Sequence, residues 1–172
     1  MDFDKACEVF DLLSDNFEDA VLQCLLANGE AVATMIREQL YSGVDGNNQY
    51  LSPTYDDDPY FSEEGPWQGR AEQYKRWKEM ITPPIGSEML FLPARPVEVP
   101  NLFITGVFHE SITYSLEPDS LRIYTSGFQD GPIIESKYGE QIFMPTETAK
   151  EYFNVNYLTP ALESFFRDCG YS

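Results

Sequence analysis

The sequence predicts an α+β fold in one domain: N-terminal helices, an amphipathic middle helix, a small antiparallel sheet and a C-terminal helix, joined by a long loop and a proline-rich arm. Three observations predict it. Apolar residues recur at three- and four-residue spacing through residues 2–40 and again through 67–81. Two runs in the last third, LFITGVFHESITYSLE and SLRIYTSG, are rich in β-branched and aromatic residues and flank a turn near Pro118-Asp119. A chain of 172 residues, 42% hydrophobic and 15% aromatic, is long enough to bury one core and too apolar to stay disordered. The single domain 1–172 then divides into a helical part (1–40), a loop (41–66), an amphipathic helix (67–81), an extended arm (82–101) and a β-rich part ending in a helix (102–172).

The first helical stretch opens with Asp2 as a cap, followed by Phe3, Ala6, Cys7, Phe10 and Leu13 on one stripe. A break near Ser14 or Asp15 is expected, with Phe17, Ala20, Val21, Cys24 and Leu25 continuing the stripe. Gly29 marks a kink or an end, and Ala31, Met35, Ile36, Gln39 and Leu40 form a further segment.

Residues 41–66 have loop chemistry, dominated by Gly, Asn, Asp, Pro and Tyr. So long a connection in a small domain is usually functional or ordered by a partner. Its Tyr50, Tyr55, Tyr60 and Phe61 are aromatic anchors of the kind enriched at interfaces. In the helix that follows, Trp67, Ala71, Tyr74, Trp77 and Ile81 share a face, while Arg70, Lys75, Arg76 and Lys78 fill much of the rest. That basic face reads as the solvated side of an amphipathic surface helix or, functionally, as a docking face for an acidic neighbour, another copy of this chain included. Prolines 83, 84, 93, 96 and 100 forbid a helix in the arm. Pro93 and Pro96 sit where the arm would lie over another element or subunit, so its deletion is expected to leave a folded monomer that cannot assemble.

In the last third, Thr105-Gly106 reads as a bulge within the first strand and KYGEQIF as a short strand or turn. Thr146 caps a helix with Glu147 in its first turn. Thr159 caps the final helix, with Pro160 at its first position and Gly170 at its end.

Composition also bounds function. Eleven basic residues face 29 acidic ones, a net charge of −18, so nucleic acid and anionic membranes repel the chain. Cys7, Cys24 and Cys169 have no metal-binding spacing and read as free, buried or partly buried thiols. The acidic N-terminus lacks the basic segment of a signal peptide, and no run approaches a membrane span, which predicts folding in the cytosol. The one histidine, His109, falls on a predicted strand, where its neighbours Glu110 and Ser111 do not form a catalytic set. Asp56, Asp57 and Asp58, with Glu63 and Glu64, lack the alternate-position spacing of a calcium loop. No phosphate-binding, metalloprotease or nucleophile-elbow motif occurs. The expectation is no catalytic residue, no cofactor, no metal and no enzyme.

Three patches together carry a resemblance. They are Ile36–Gly46 (IREQLYSGVDG) followed by Leu51–Tyr55, then Leu102–Ile112 (LFITGVFHESI), then Lys137–Phe143 (KYGEQIF). In this order they resemble small virion proteins of tailed phages and prophages, the tail-completion or neck type that joins a capsid to a tail. The resemblance implies an α+β head–tail connector that forms a ring with copies of itself around the DNA channel. Its neighbours would be portal, neck and tail proteins, it would be assembled in the host cytoplasm and located in the virion, and DNA would pass without tight binding. The competing expectation is an acidic monomeric module, a DNA mimic or inhibitor, for a basic protein.

Overall fold

The computed structural model describes residues 3–83 and 87–171. The fold is α+β, as expected, and α2 is its axis. α1 (Phe3–Ala27) and α2 (Gly29–Tyr41) meet at Asn28, whose N–H and side chain both bond the carbonyl of Cys24. Gly29 therefore marks a real junction, and its reason is packing. A Cβ at that position would lie 2.3 Å from the Tyr114 ring, so only glycine lets α2 cross the sheet so closely. The expected break at Ser14 or Asp15 does not occur. Both are exposed, and polar residues there cost a helix only tenths of a kcal/mol each, about what propensity scales give. The Asp2 cap lies outside the described residues.

After the loop come a 3₁₀ turn (Pro59–Phe61), capped by the Asp58 carboxylate, and α3 (Ala71–Ile81). α3 starts later than Trp67 because Gly69, at φ +66°, ends a turn just before it. The arm has no regular element among its described residues, in keeping with its prolines. It does not project from the fold, however. The carboxylate of Glu38 on α2 accepts the Ser87 hydroxyl and the N–H groups of Glu88, Met89 and Leu90 at 2.6–3.1 Å. Leu90 and Val99 are buried. The arm is thus part of the chain's own core.

The β-rich part is smaller than expected. α4 (Val107–Ser111) takes up the middle of the expected first strand, of which only β1 (Ile112–Leu116) is formed. Gly106, at φ +90°, is no bulge; it is the residue that leads into α4. β1 pairs antiparallel with β2 (Leu121–Thr125), Ile112 opposite Thr125 and Leu116 opposite Leu121. α5 (Gly131–Tyr138) follows, and Gly139, at φ +85°, turns the chain into a 3₁₀ segment (Glu140–Phe143); KYGEQIF is this turn, with no strand in it.

Thr146 caps α6 (Glu147–Phe153) through a bond from the Ala149 N–H. Thr159 is not a cap, because its backbone is helical and a π turn (Asn154–Leu158) joins α6 to α7 (Thr159–Asp168) without a break. Pro160 gives the reason: it lacks an N–H and crowds the preceding turn, and a widened π turn relieves both. Gly170, at φ +88°, ends the helix as expected.

Two apolar clusters flank α2. One gathers Ala33, Ile36 and Leu40 with Leu51, Val99, Phe108, Ile112, Ile142 and Phe143. The other gathers Val32 and Met35 with Cys24, Leu90, Ala149 and Phe153. Ile36 and Leu40 are fully buried, each contributing about 1.5–3 kcal/mol. The three sequence patches therefore converge in the first cluster. Hydrogen bonds reinforce the meeting: Arg37 donates to the carbonyls of His109 and Ile112 at 3.0 and 2.6 Å, and Gly46 N–H to that of Gln141 at 2.9 Å.

Candidate protein interface

The residues singled out as interface anchors fall into two groups. Tyr55 and Phe61 are buried, so two of the loop's four aromatic anchors face inward. They stack edge-on with each other and with Tyr74 of α3, which also meets Trp67 and Trp77. Burial pushes the Tyr74 hydroxyl up to about 12, with the neighbouring Tyr60 and Asp58 adding to the rise. Two of the four basic residues of this stretch are likewise spent within the chain. Lys75 is buried and pairs with Asp56 at 2.7 Å and Glu72 at 2.5 Å. Lys78 is only 1% exposed and donates to the Phe103 carbonyl. Burial, helped by the Arg95 guanidinium, lowers its amine to about 7. These four residues are internal supports for the loop, a correction to their expected docking role. Tyr50, Tyr60, Arg70, Arg76 and Pro93 are exposed, while Trp67 and Pro96 are half-buried.

His109 lies on α4 and not on a strand, and it is buried with its Nε2 2.8 Å from the Asn101 carbonyl. Burial lowers its pKa to about 4, and the Lys78 and Arg37 charges push the same way. With Lys78 on Phe103 and His109 on Asn101, two buried side chains hold the loop that leads into α4. The acidic run is divided among separate tasks: Asp56 pairs with Lys75, Asp57 accepts the Thr54 hydroxyl at 2.8 Å, and Asp58 caps the 3₁₀ turn and pairs with Lys137. Among the described residues no group of three or more His, Cys, Asp or Glu is placed to hold a metal ion. No helix of the described residues is long and apolar enough to cross a membrane. All three cysteines are free; Cys24 is buried, whereas Cys7 is exposed against expectation.

The apolar surface that remains lies elsewhere. On α1 the buried residues are Val9 and Cys24; of the expected stripe Cys24 is buried, Ala6, Leu13, Ala20, Val21 and Leu25 are half-buried, and Cys7, Phe10 and Phe17 face outward. Phe10 is 64% and Phe17 43% exposed, and Phe17 rests against Phe165 and Phe166 of α7 with ring centroids 6.3 and 6.4 Å away. Tyr171, beyond α7, is exposed and meets Phe166. The packed α1–α7 pair therefore carries an aromatic surface only partly covered by its own chain.

A groove of about 710 Å³ opens between β2 and α6. Buried Met35, Ala149 and Phe153 form its base, and Leu121, Ile123 and half-exposed Met144 line it. Sequence reasoning missed it. The sequence shows the alternation of Leu121 and Ile123 but names neither the open strand edge nor the walls around it. A second cleft of about 500 Å³ lies between α2, α3 and the arm, lined by Tyr41, Thr82, Pro83 and Arg95 among others.

Scans of protein-family models, curated proteins and solved structures each return no match to the chain.

Proposed function

We propose that this chain is a non-catalytic assembly protein of a tailed-phage neck, a head–tail connector or tail-completion component that sits with copies of itself around the DNA channel. The observation that carries the reading is the outward aromatic surface of the packed α1–α7 pair. Phe10, Phe17 and Tyr171 are exposed at 64%, 43% and 59%, and Phe17 and Tyr171 are linked through Phe166. Aromatic patches of this kind, left uncovered, mark protein–protein contacts. A net charge of −18 suits a wall along which DNA moves without adhering. The convergence of the three sequence patches in one core supports reading them as fold-forming positions. The test is mass spectrometry of purified virions from the source, with antibody–gold labelling for position. Phe10→Asp is the companion variant: the melting temperature is expected to hold while incorporation into particles fails. Absence from particles, or full incorporation of the variant, overturns the reading.

One observation favours the second reading, an acidic module for a basic protein. Asp4, Glu8, Asp11, Asp15 and Glu18 recur at three- and four-residue spacing on α1 and are all exposed, so they form one acidic face. That reading requires a one-to-one complex with a basic protein that weakens steeply with salt.

A further inference from the structure

The strand β2 has one partner, β1, and its other edge borders the groove. The pairing pattern says which backbone groups that edge presents. Glu117 N–H bonds the Ser120 carbonyl at 2.8 Å and Ser126 N–H the Ser111 carbonyl at 2.9 Å. In an antiparallel ladder the direction of these groups alternates along each strand. The even-numbered residues of β2 therefore point their N–H and C=O at β1, and Leu121, Ile123 and Thr125 point theirs away. Near Thr125 the edge is closed by the start of α5, since a Cβ on Gly131 would lie 2.6 Å from the Thr125 hydroxyl. The open stretch is Leu121 to Ile123. Among the described residues, no hydrogen bond reaches the backbone N–H or C=O of either residue on that side.

The groove lies along this open stretch. Consecutive residues from Asp119 to Tyr124 all line it, so side chains from both faces of the strand contribute, as a position at the strand edge requires. Across the buried floor of Met35, Ala149 and Phe153 stands half-buried Leu158. The space thus offers unpaired main-chain donors and acceptors on one wall and apolar side chains on the other. That combination recognises an added strand, whose backbone completes the ladder while alternate side chains enter the groove.

The rim selects the charge of the occupant. Its two cations are already committed, Arg122 to Glu117 at 3.6 Å and Lys150 to Glu147 at 2.6 Å. Its acids Asp119, Glu135 and Glu140 form no ion pair among the described residues. A second copy of this chain, at −18, is poorly suited to that rim.

We propose that β2 and the adjoining groove accept an extended segment of a partner protein in which apolar residues alternate with basic ones, paired to Leu121 and Ile123 through its backbone. The inference rests on the assembly reading only in taking a polypeptide as the occupant. It is independent of where in a particle, or in which particle, the chain sits.

The test uses the full chain and a short synthetic peptide alternating valine with lysine. Two control peptides carry a central proline or glutamate in place of lysine. Binding is read by fluorescence anisotropy, and the edge by amide hydrogen exchange at Leu121 and Ile123. The expected result is binding with at least tenfold slower exchange at both amides, and at least tenfold weaker affinity for either control. The rim variant Glu135→Lys/Glu140→Lys, altered at the surface, is expected to weaken the lysine peptide about tenfold at low salt and to favour the glutamate control. Equal binding of the proline control, or unchanged exchange at Leu121 and Ile123, overturns the strand pairing. No binding of the lysine peptide, with an apolar dye filling the groove instead, overturns the polypeptide occupant. Because the probe is synthetic, these failures are distinct from absence of the chain from virions.

Discussion

The carboxamide oxygen of Gln39 accepts the backbone N–H of Thr146 at 2.9 Å, joining α2 to the cap of α6 across 107 residues of sequence. The same oxygen takes the Thr146 hydroxyl at 3.2 Å, and the amide nitrogen donates to the Met144 carbonyl at 3.1 Å. Gln39 is fully buried. A buried polar side chain is tolerated when its hydrogen bonds are met, and here a single residue orients both the cap of α6 and the turn before it.

Gln39→Leu keeps the volume and removes those bonds, leaving the Met144 carbonyl and the Thr146 N–H without this partner. The expected cost is about 3 kcal/mol, since each orphaned buried group costs roughly 1–3 kcal/mol. For a chain of this size that lowers the melting temperature by roughly 6–12 °C. Gln23→Leu, on the exposed face of α1, is the control and should move it little. Differential scanning calorimetry checks both; equal, small shifts would mean that the Gln39 network carries no net stability.

Glu38, the neighbour of Gln39 in sequence, makes the corresponding prediction for the arm. Its carboxylate gathers three successive N–H groups and the Ser87 hydroxyl, an anion in a cradle of backbone donors. Glu38→Gln turns one acceptor into a donor that faces other donors. Chymotrypsin should then cut near Met89–Leu92 at least tenfold faster, while cleavage within α2 stays slow. The expectation that the arm can be deleted from a folded monomer fits poorly with this anchoring. Deletion would remove Leu90 and Val99 from the two clusters and leave the Glu38 carboxylate buried without its donors. An unchanged cleavage pattern in Glu38→Gln would mean that the apolar contacts alone hold the arm.

The features legible in the sequence were those decided by neighbours in sequence. The Thr146 cap, the glycine at 170 and the hairpin around Pro118-Asp119 each depend on a few adjacent residues, whereas the junction at Gly29 was legible as a glycine although its reason, the Tyr114 ring, is distant. What failed was decided at long range. Residues 107–111 have the composition of a strand, but Gly106 reverses the chain before them. Arg37, Lys78 and His109, brought in from far along the chain or folded inward, then bond the local carbonyls and favour a helical turn. The α1 stripe departs from expectation in part: Val9, outside it, is buried while Phe10 is exposed, and Phe17 meets Phe165 and Phe166 of α7, which are distant in sequence. Four anchors, Tyr55, Phe61, Lys75 and Lys78, turned inward because rings pair with rings, and ammonium groups with the chain's own carboxylates and carbonyls, as readily as with a partner's. The groove was illegible because its walls come from parts of the chain that are adjacent only in the fold.

His109 supplies a pH dependence whose sign follows from its place. The ring packs against Tyr41, Phe103 and Phe108, and its Nε2 faces the Asn101 carbonyl, so Nε2–H donates and Nδ1 carries no proton. Adding a proton at Nδ1 places a charge in a buried site beside Lys78 and Arg37, which holds the folded-state pKa near 4 against an ordinary 6.5. Between those values the unfolded chain binds the proton and the folded chain does not. The stability from neutral His109 is therefore fully present above pH 6.5 and is lost as pH falls toward about 4. The loss is at most about 3 kcal/mol, at roughly 1.4 kcal/mol per pKa unit. His109→Gln keeps a donor toward Asn101 and does not titrate. Urea unfolding of both proteins at a series of pH values separates this contribution from that of the carboxylates, which are common to the two. The stability difference between them should be flat above pH 6.5 and shift toward the variant as pH drops to 4. Lys78 leaves that window undisturbed, because its contribution to stability rises only between about 7 and its ordinary 10.5. Parallel curves for the two proteins would mean that the imidazole titrates alike in the folded and unfolded chains, and that the contacts with Asn101 and the three rings do not keep it neutral.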